Sequence, residues 1–137
     1  SRRFYEGVLV SKTFQVKIHY EDTDFSGAVY HANYLKFIER ARSDRISKLG
    51  INQLELQENN IIFVVRRISA TFIKPAYFGD CLFVETCFIR IGGASIQLKQ
   101  KILKKKECIF EADVKLAMVT DGHVIRLPQK LKEKLLK

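Results

Sequence analysis

One long apolar helix pattern, followed by nothing but strands and turns, limits this chain's fold more than any other feature. Residues 33–49 read as a helix capped by Asn33 and stopped by Gly50. Tyr34, Leu35, Phe37, Ile38, Ala41, Ile46 and Leu49 fall on one broad face of it. An apolar arc that wide belongs to a core helix. Arg42 and Arg45 project into the same arc, and Glu39 at its margin is spaced to pair with Arg42 at i,i+3.

The remainder is period-two sequence. Residues 12–20 place Phe14, Val16, Ile18 and Tyr20 on one side, which predicts a half-buried strand, and residues 21–32 read as a loop. After a polar stretch at 51–60 with room for a short helix, strands are expected at 61–73, 81–91, 95–103, 108–119 and 124–127. Gly92-Gly93, the lysines at 104–106 and Asp121-Gly122 supply the hairpin turns. Pro128 starts a final helix with Leu131, Leu135 and Leu136 as its stripe. The order predicts an α+β fold in a single domain, residues 1–137: a curled antiparallel sheet of about five or six strands around one long central helix.

Charge and cysteine content narrow the function. Lys and Arg number 24 against 15 Asp and Glu, so the net charge is +9 and an anionic partner is favoured. Cys81, Cys87 and Cys108 are an odd count without a CxxC pair, which argues against a disulfide framework and a zinc site and fits a reducing compartment. They read as buried small hydrophobes. The N-terminal SRRFYEGVLVSKTF has no secretory apolar core, and no stretch is long enough to span a bilayer, so the expected location is cytoplasmic. GxSxG, Walker, GxGxxG and HExxH motifs are absent, and no metal or cofactor is expected.

Potential chemistry concentrates in YEDTDFSGAVYHANYLKFIERAR, residues 20–42, where Glu21, Asp22, Asp24, His31 and Glu39 crowd one strand-to-helix junction. From its residues alone, Asp24 reads more often as a turn former than as a catalytic carboxylate, and His31 more often as a half-buried structural histidine than as a site residue. This segment resembles the signature of the YbgC-like branch of the 4-hydroxybenzoyl-CoA thioesterase family, which has the hotdog fold. FIKPAYFGDCLFVET, residues 72–86, is similar to that family's second, less specific motif, and the resemblance runs over roughly residues 12–128.

The resemblance implies hydrolysis of acyl-CoA thioesters at the interface of a homodimer or tetramer, CoA being part of the substrate. It implies that Asp24, the second aspartate of Asp22-Thr23-Asp24, is the catalytic carboxylate. A backbone N–H at the start of the central helix, from His31 or a neighbour, polarises the carbonyl, while the His31 side chain, Tyr30, Gly27 and Phe25 bind or position the substrate. It also suggests an acyl carrier protein as thiol donor and peripheral association with the inner membrane through the Tol-Pal system. Close relatives often carry smaller residues after the aspartate, so Phe25 is expected to narrow or line the acyl pocket.

Physical chemistry accommodates these roles. A helix N-terminus offers unpaired N–H groups and a positive dipole end to a developing oxyanion, worth about 2.7–4 kcal/mol per donor. Asp24 could attack the carbonyl or activate water. Arg66, Arg67, Lys74 and Arg90 are candidates for the CoA phosphates, or solvated strand charges. Two rival functions remain. A hotdog hydratase or dehydratase would use His31 with Glu39. A basic nucleic-acid-binding domain would use the net charge, but the chain has no RNP-like motif or helix-turn-helix, so no nucleic-acid partner is expected.

Overall fold

The computed structural model describes residues 13–136. The N-terminal segment bearing Arg2 and Arg3, and the first residue of the strand expected from 12, lie outside the described residues. Six strands and three helices follow one another: β1 (Thr13–Lys17), α1 (His31–Lys48), α2 (Gln53–Glu58), β2 (Ile62–Phe72), β3 (Cys81–Ile91), β4 (Ile96–Lys104), β5 (Glu107–Thr120), β6 (His123–Ile125) and α3 (Gln129–Leu135), with a 3-10 turn at Tyr20–Asp22 before α1. The strands form one antiparallel sheet in the order β1-β3-β4-β5-β2, with β6 added to β5. The expected α+β hotdog architecture is thus present.

Turn chemistry sets the hairpins. Lys105 and Lys106 both adopt positive φ, as do Asp121 and Gly122, giving two-residue turns whose twist suits antiparallel strands. At the β3–β4 connection the Gly92 N–H donates to Ser95 O at 2.8 Å.

Register explains the core. Phe14, Val84, Ile102, Phe110 and Phe72 lie in one cross-strand row, each facing the next. With Leu82, Leu98, Val114 and Met118, the first four of these build the apolar face that receives Phe37, Ile38, Ala41 and Ile46 of α1. Two apolar residues on the expected stripes point away instead: Leu35 is 39% exposed and Leu136 is 70% exposed. The thiols differ from expectation as well, since Cys81 is exposed and Cys87 and Cys108 are only partly buried; none of the three is in a disulfide.

One row of this face is not apolar. Thr86, Gln100, Ala112 and Ala70 are successive cross-strand neighbours, and the small alanines leave room above the sheet. Arg42 from α1 donates to Gln100 Oε1 at 3.0 Å, while Gln100 Nε2 donates to Ile38 O and to Thr86 Oγ1, both at 2.9 Å. Buried Arg42 therefore has a neutral amide as its partner, and among the described residues Glu39 forms no ion pair, contrary to the expected Glu39–Arg42 contact. Burial lowers the Arg42 pKa, and Glu39 only partly offsets this through space. Arg45 lies with its guanidinium 5.7 Å from the Phe88 ring centre.

Replacing Gln100 with Leu leaves a buried guanidinium without its acceptor and should cost about 2–3 kcal/mol in denaturant unfolding. Adding Arg42→Met to Gln100→Leu should recover most of that loss, because removing both polar partners leaves no orphan. Equal losses in the single and double variants would contradict this account.

Candidate active site

From Asp22 to Tyr30 the chain doubles back on itself. Tyr30 N–H donates to Asp22 O at 3.0 Å, Asp24 N–H donates to Ala28 O at 2.8 Å, and Thr23 pairs with Val29. The tip closes where Gly27 N–H meets Asp24 O at 3.0 Å, with Gly27 at φ +90, a conformation that favours glycine. This ribbon is clamped from beside by residues 75–80. Val29 N–H donates to Ala76 O at 2.8 Å, Ala76 N–H donates to the Tyr34 hydroxyl of α1 at 3.0 Å, and Ala28 bridges to Tyr77. Asp80 holds the clamp, accepting from Tyr77 N–H and pairing with Lys104, both at 2.8 Å. Burial works against the Asp80 anion, but these partners outweigh it and keep its pKa below the ordinary value.

Asp24 therefore stands at the tip of a braced loop, exposed, on the approach to α1. Its Oδ1 accepts from the Ser26 N–H at 2.8 Å and from the Ser26 hydroxyl at 2.6 Å. Among the described residues, no hydrogen bond reaches Oδ2. The Ser26 hydroxyl and N–H, with help from His31, hold the Asp24 carboxyl below its usual pKa.

The helix begins three residues earlier than the sequence suggested. Tyr30, not Asn33, is the N-cap, and its side chain makes no capping bond. Asn33 instead ties the helix to the 3-10 turn: its N–H donates to Tyr30 O at 2.9 Å and its Nδ2 to Asp22 O at 2.9 Å. The first two helical N–H groups, of His31 and Ala32, have no acceptor among the described residues. They are the donors on which an oxyanion could settle.

Beside them runs an aromatic floor. The His31 ring centre is 4.6 Å from that of Tyr30 and 6.2 Å from that of Phe72. Tyr34 stacks on Phe110 at 5.3 Å, and Phe72 meets both edge-on. The structure thus gathers Asp24, Gly27, Tyr30 and His31 around one junction. Phe25 is fully exposed at the loop tip. Sequence reasoning missed Ser26, Tyr34 and Phe72. Tyr34 carries only the signal of an apolar helix face, and Phe72 only opens the motif at residues 72–86. Ser26 carried a visible signal, an Asp-x-Ser spacing that lets the hydroxyl turn back on the carboxylate.

Other candidates fall elsewhere. Glu39 is exposed, about 12 Å further along α1 from His31 at 1.5 Å per residue, so the pair a hydratase needs is not assembled. Lys74 pairs with Glu107. Arg66, Arg67, Ser95 and Lys115 line a cavity of about 460 Å³ toward the Ile62 end of β2, and Arg67, Gln97 and Lys115 also line a smaller one of about 230 Å³. Neither cavity includes Asp24 or His31. Among the described residues, no His, Cys, Asp and Glu side chains cluster as a metal site, and no helix is long and apolar enough to cross a membrane.

Known proteins resemble this chain in sequence and fold. The thioesterase superfamily profile matches residues 26–108, beginning two positions after Asp24. The acyl-CoA thioesterase YbgC of Haemophilus influenzae is 36% identical over 123 residues, covering 88% of this chain and 90% of that protein. The acyl-CoA thioesterase YbgC of Helicobacter pylori is 35% identical over 131 residues, covering 87% and 96%. A solved structure of a probable thioesterase from Bartonella henselae superposes with a TM-score of 0.81 at 37% identity, covering 85% of this chain and 98% of that one. The chain is a hotdog-fold member of the thioesterase superfamily and belongs to its YbgC-like branch.

Proposed function

We propose that the chain hydrolyses acyl-CoA thioesters to the free acid and CoA, with Asp24 as nucleophile or general base. The observation that carries this reading is the free Oδ2 of Asp24 on the approach to a helix start whose His31 and Ala32 N–H groups lack acceptors. A thioester carbonyl placed between them meets an anionic oxygen on one side and two dipolar donors on the other. The Asp24 carboxyl, held below its usual pKa, is ionised at neutral pH and ready to act. The CoA thiolate leaves without a strong general acid, and water supplies the remaining atoms, so no cofactor takes part. Three cysteines outside any disulfide fit a cytoplasmic setting.

The substrate site in this reading is completed by a second copy of the chain. Phe72, Ile73 and Tyr30 are each about half exposed around the floor. β2, an 11-residue strand, lies at the edge of the sheet, where its outer backbone groups can pair with another chain. An antiparallel pairing of two β2 edges sets the Phe72 end of one strand beside the Ile62 end of the other. It brings the cations at Arg66, Arg67 and Lys115 of one chain toward the Asp24 of its partner, where they suit the phosphates of CoA.

Asp24→Asn should lower kcat on acyl-CoAs by about 10²–10⁴-fold with folding intact, as read by thiol release and a thermal melt. Unimpaired turnover in this near-isosteric variant would sink the Asp24 mechanism. Sedimentation equilibrium should give at least twice the chain mass, and a monomer with full activity would exclude the shared site. Arg67→Ala should raise KM several-fold with little change in kcat, the pattern of lost uniform binding.

A further inference from the structure

We propose that Ser26 is a positioning residue for the hydrolysis: its hydroxyl and backbone N–H together fix the Asp24 carboxylate so that Oδ2 alone is presented to the substrate. The inference rests on the assignment of Asp24 as the catalytic carboxylate.

The geometry is a closed ring of bonds. Ser26 N–H and Oγ–H both end on Asp24 Oδ1, at 2.8 and 2.6 Å. The same Oγ accepts from Ala28 N–H at 3.4 Å, a long contact, and Ala28 O in turn accepts from Asp24 N–H at 2.8 Å. A hydroxyl has one proton. With Ala28 on its acceptor side, that proton is directed at Oδ1.

Among the described residues, no other side chain hydrogen-bonds the carboxylate. It is exposed, and among the described residues Ser26 supplies both of its side-chain hydrogen bonds. An exposed aspartate without such a tie samples its broad χ2 range and spends much of its time with neither oxygen aimed at the helix start. Locking Oδ1 converts that search into one presented oxygen, which acts on the rate of the chemical step rather than on substrate affinity.

The ionisation of Asp24 follows the same contacts. The facing groups are Ser26 within the loop and His31 at the start of α1, and both favour the anion. Of the two carboxylates in the 3-10 turn, Glu21 and Asp22, the second is directed at His19 N–H at 2.8 Å. Tyr30 on the loop and Tyr77 on the clamp complete the neighbourhood. Two donors on Oδ1 stabilise the charged form, so removing the hydroxyl must raise the Asp24 pKa. Activity that requires the anion is lost as pH falls through that pKa, so the acid limb of the pH–rate profile moves to higher pH.

The test is the pH dependence of kcat and KM for acyl-CoA hydrolysis by the full chain and three variants, each checked by a thermal melt. Ser26 is not among the positive-φ positions, so Ser26→Ala introduces no backbone strain. Ser26→Ala should lower kcat by about tenfold while KM stays within about twofold, with the acid limb displaced upward. Ser26→Thr, which keeps the hydroxyl, should restore both the rate and the limb. Wild-type kcat and acid limb in Ser26→Ala, alongside an inactive Asp24→Asn, would overturn the role of Ser26 and leave Asp24 standing. Equal defects in Ser26→Ala and Ser26→Thr would overturn it as well, since the hydroxyl would then not be the cause. Full activity in Asp24→Asn would overturn both assignments.

Discussion

Burial of one face of α1 in the hollow of the antiparallel sheet is the constraint on which the rest of the molecule depends. Phe37, Ile38, Ala41 and Ile46 leave water only if the sheet curls toward them, and the sheet can curl only around something of helical width. Once the helix is seated, the place of its first turn is settled. That turn emerges beside Phe72 and Phe110, at one end of the sheet, with two N–H groups that the helix cannot satisfy. A soluble protein would ordinarily cap such donors with a Ser, Thr, Asp or Asn side chain, and here Tyr30 occupies the cap and makes no such bond. The uncapped start costs some helix stability and leaves an electrophilic corner available for chemistry.

The buried Arg42–Gln100–Thr86 contact has a matching role in fixing the helix on the sheet. Apolar packing alone tolerates sliding, because leucine-sized side chains can exchange neighbours. A guanidinium with a single amide acceptor does not, since any shift of α1 leaves a buried charge without its partner. The Gln100 contact to Ile38 O adds a second tie between β4 and the helix backbone. Register at this point governs where His31, about 16 Å away along the helix at 1.5 Å per residue, meets the aromatic floor.

The architecture was legible in the sequence because its signals are periodic. Each expected strand after α1 lies within a residue or two of the observed one, and the turn lysines, Asp121-Gly122 and Pro128 mark real boundaries. Errors came where a local rule met a tertiary one. Asn33 is a good cap by type, but its side chain reaches Asp22 O, and the helix starts upstream of it. Glu39 has the spacing to pair with Arg42, but the arginine is drawn under the helix to Gln100, 58 residues away, which no spacing rule within a helix could reveal. Within the site, the positions of Asp24, Gly27, Tyr30 and His31 followed from one dense segment. The floor did not, because Phe72 and Phe110 come from distant strands whose alternation marks them only as apolar.

The central claim is that a thioester carbonyl is held between Asp24 and the first N–H groups of α1. The most direct measurement is a crystal structure of the Asp24→Asn protein bound to an acyl-CoA. The account predicts the carbonyl oxygen within hydrogen-bonding distance of the His31 or Ala32 N–H, and the residue 24 side chain facing the carbonyl carbon from the other side. A thioester bound away from the helix start, or turned so that residue 24 cannot approach the carbonyl carbon directly or through one water, would contradict it.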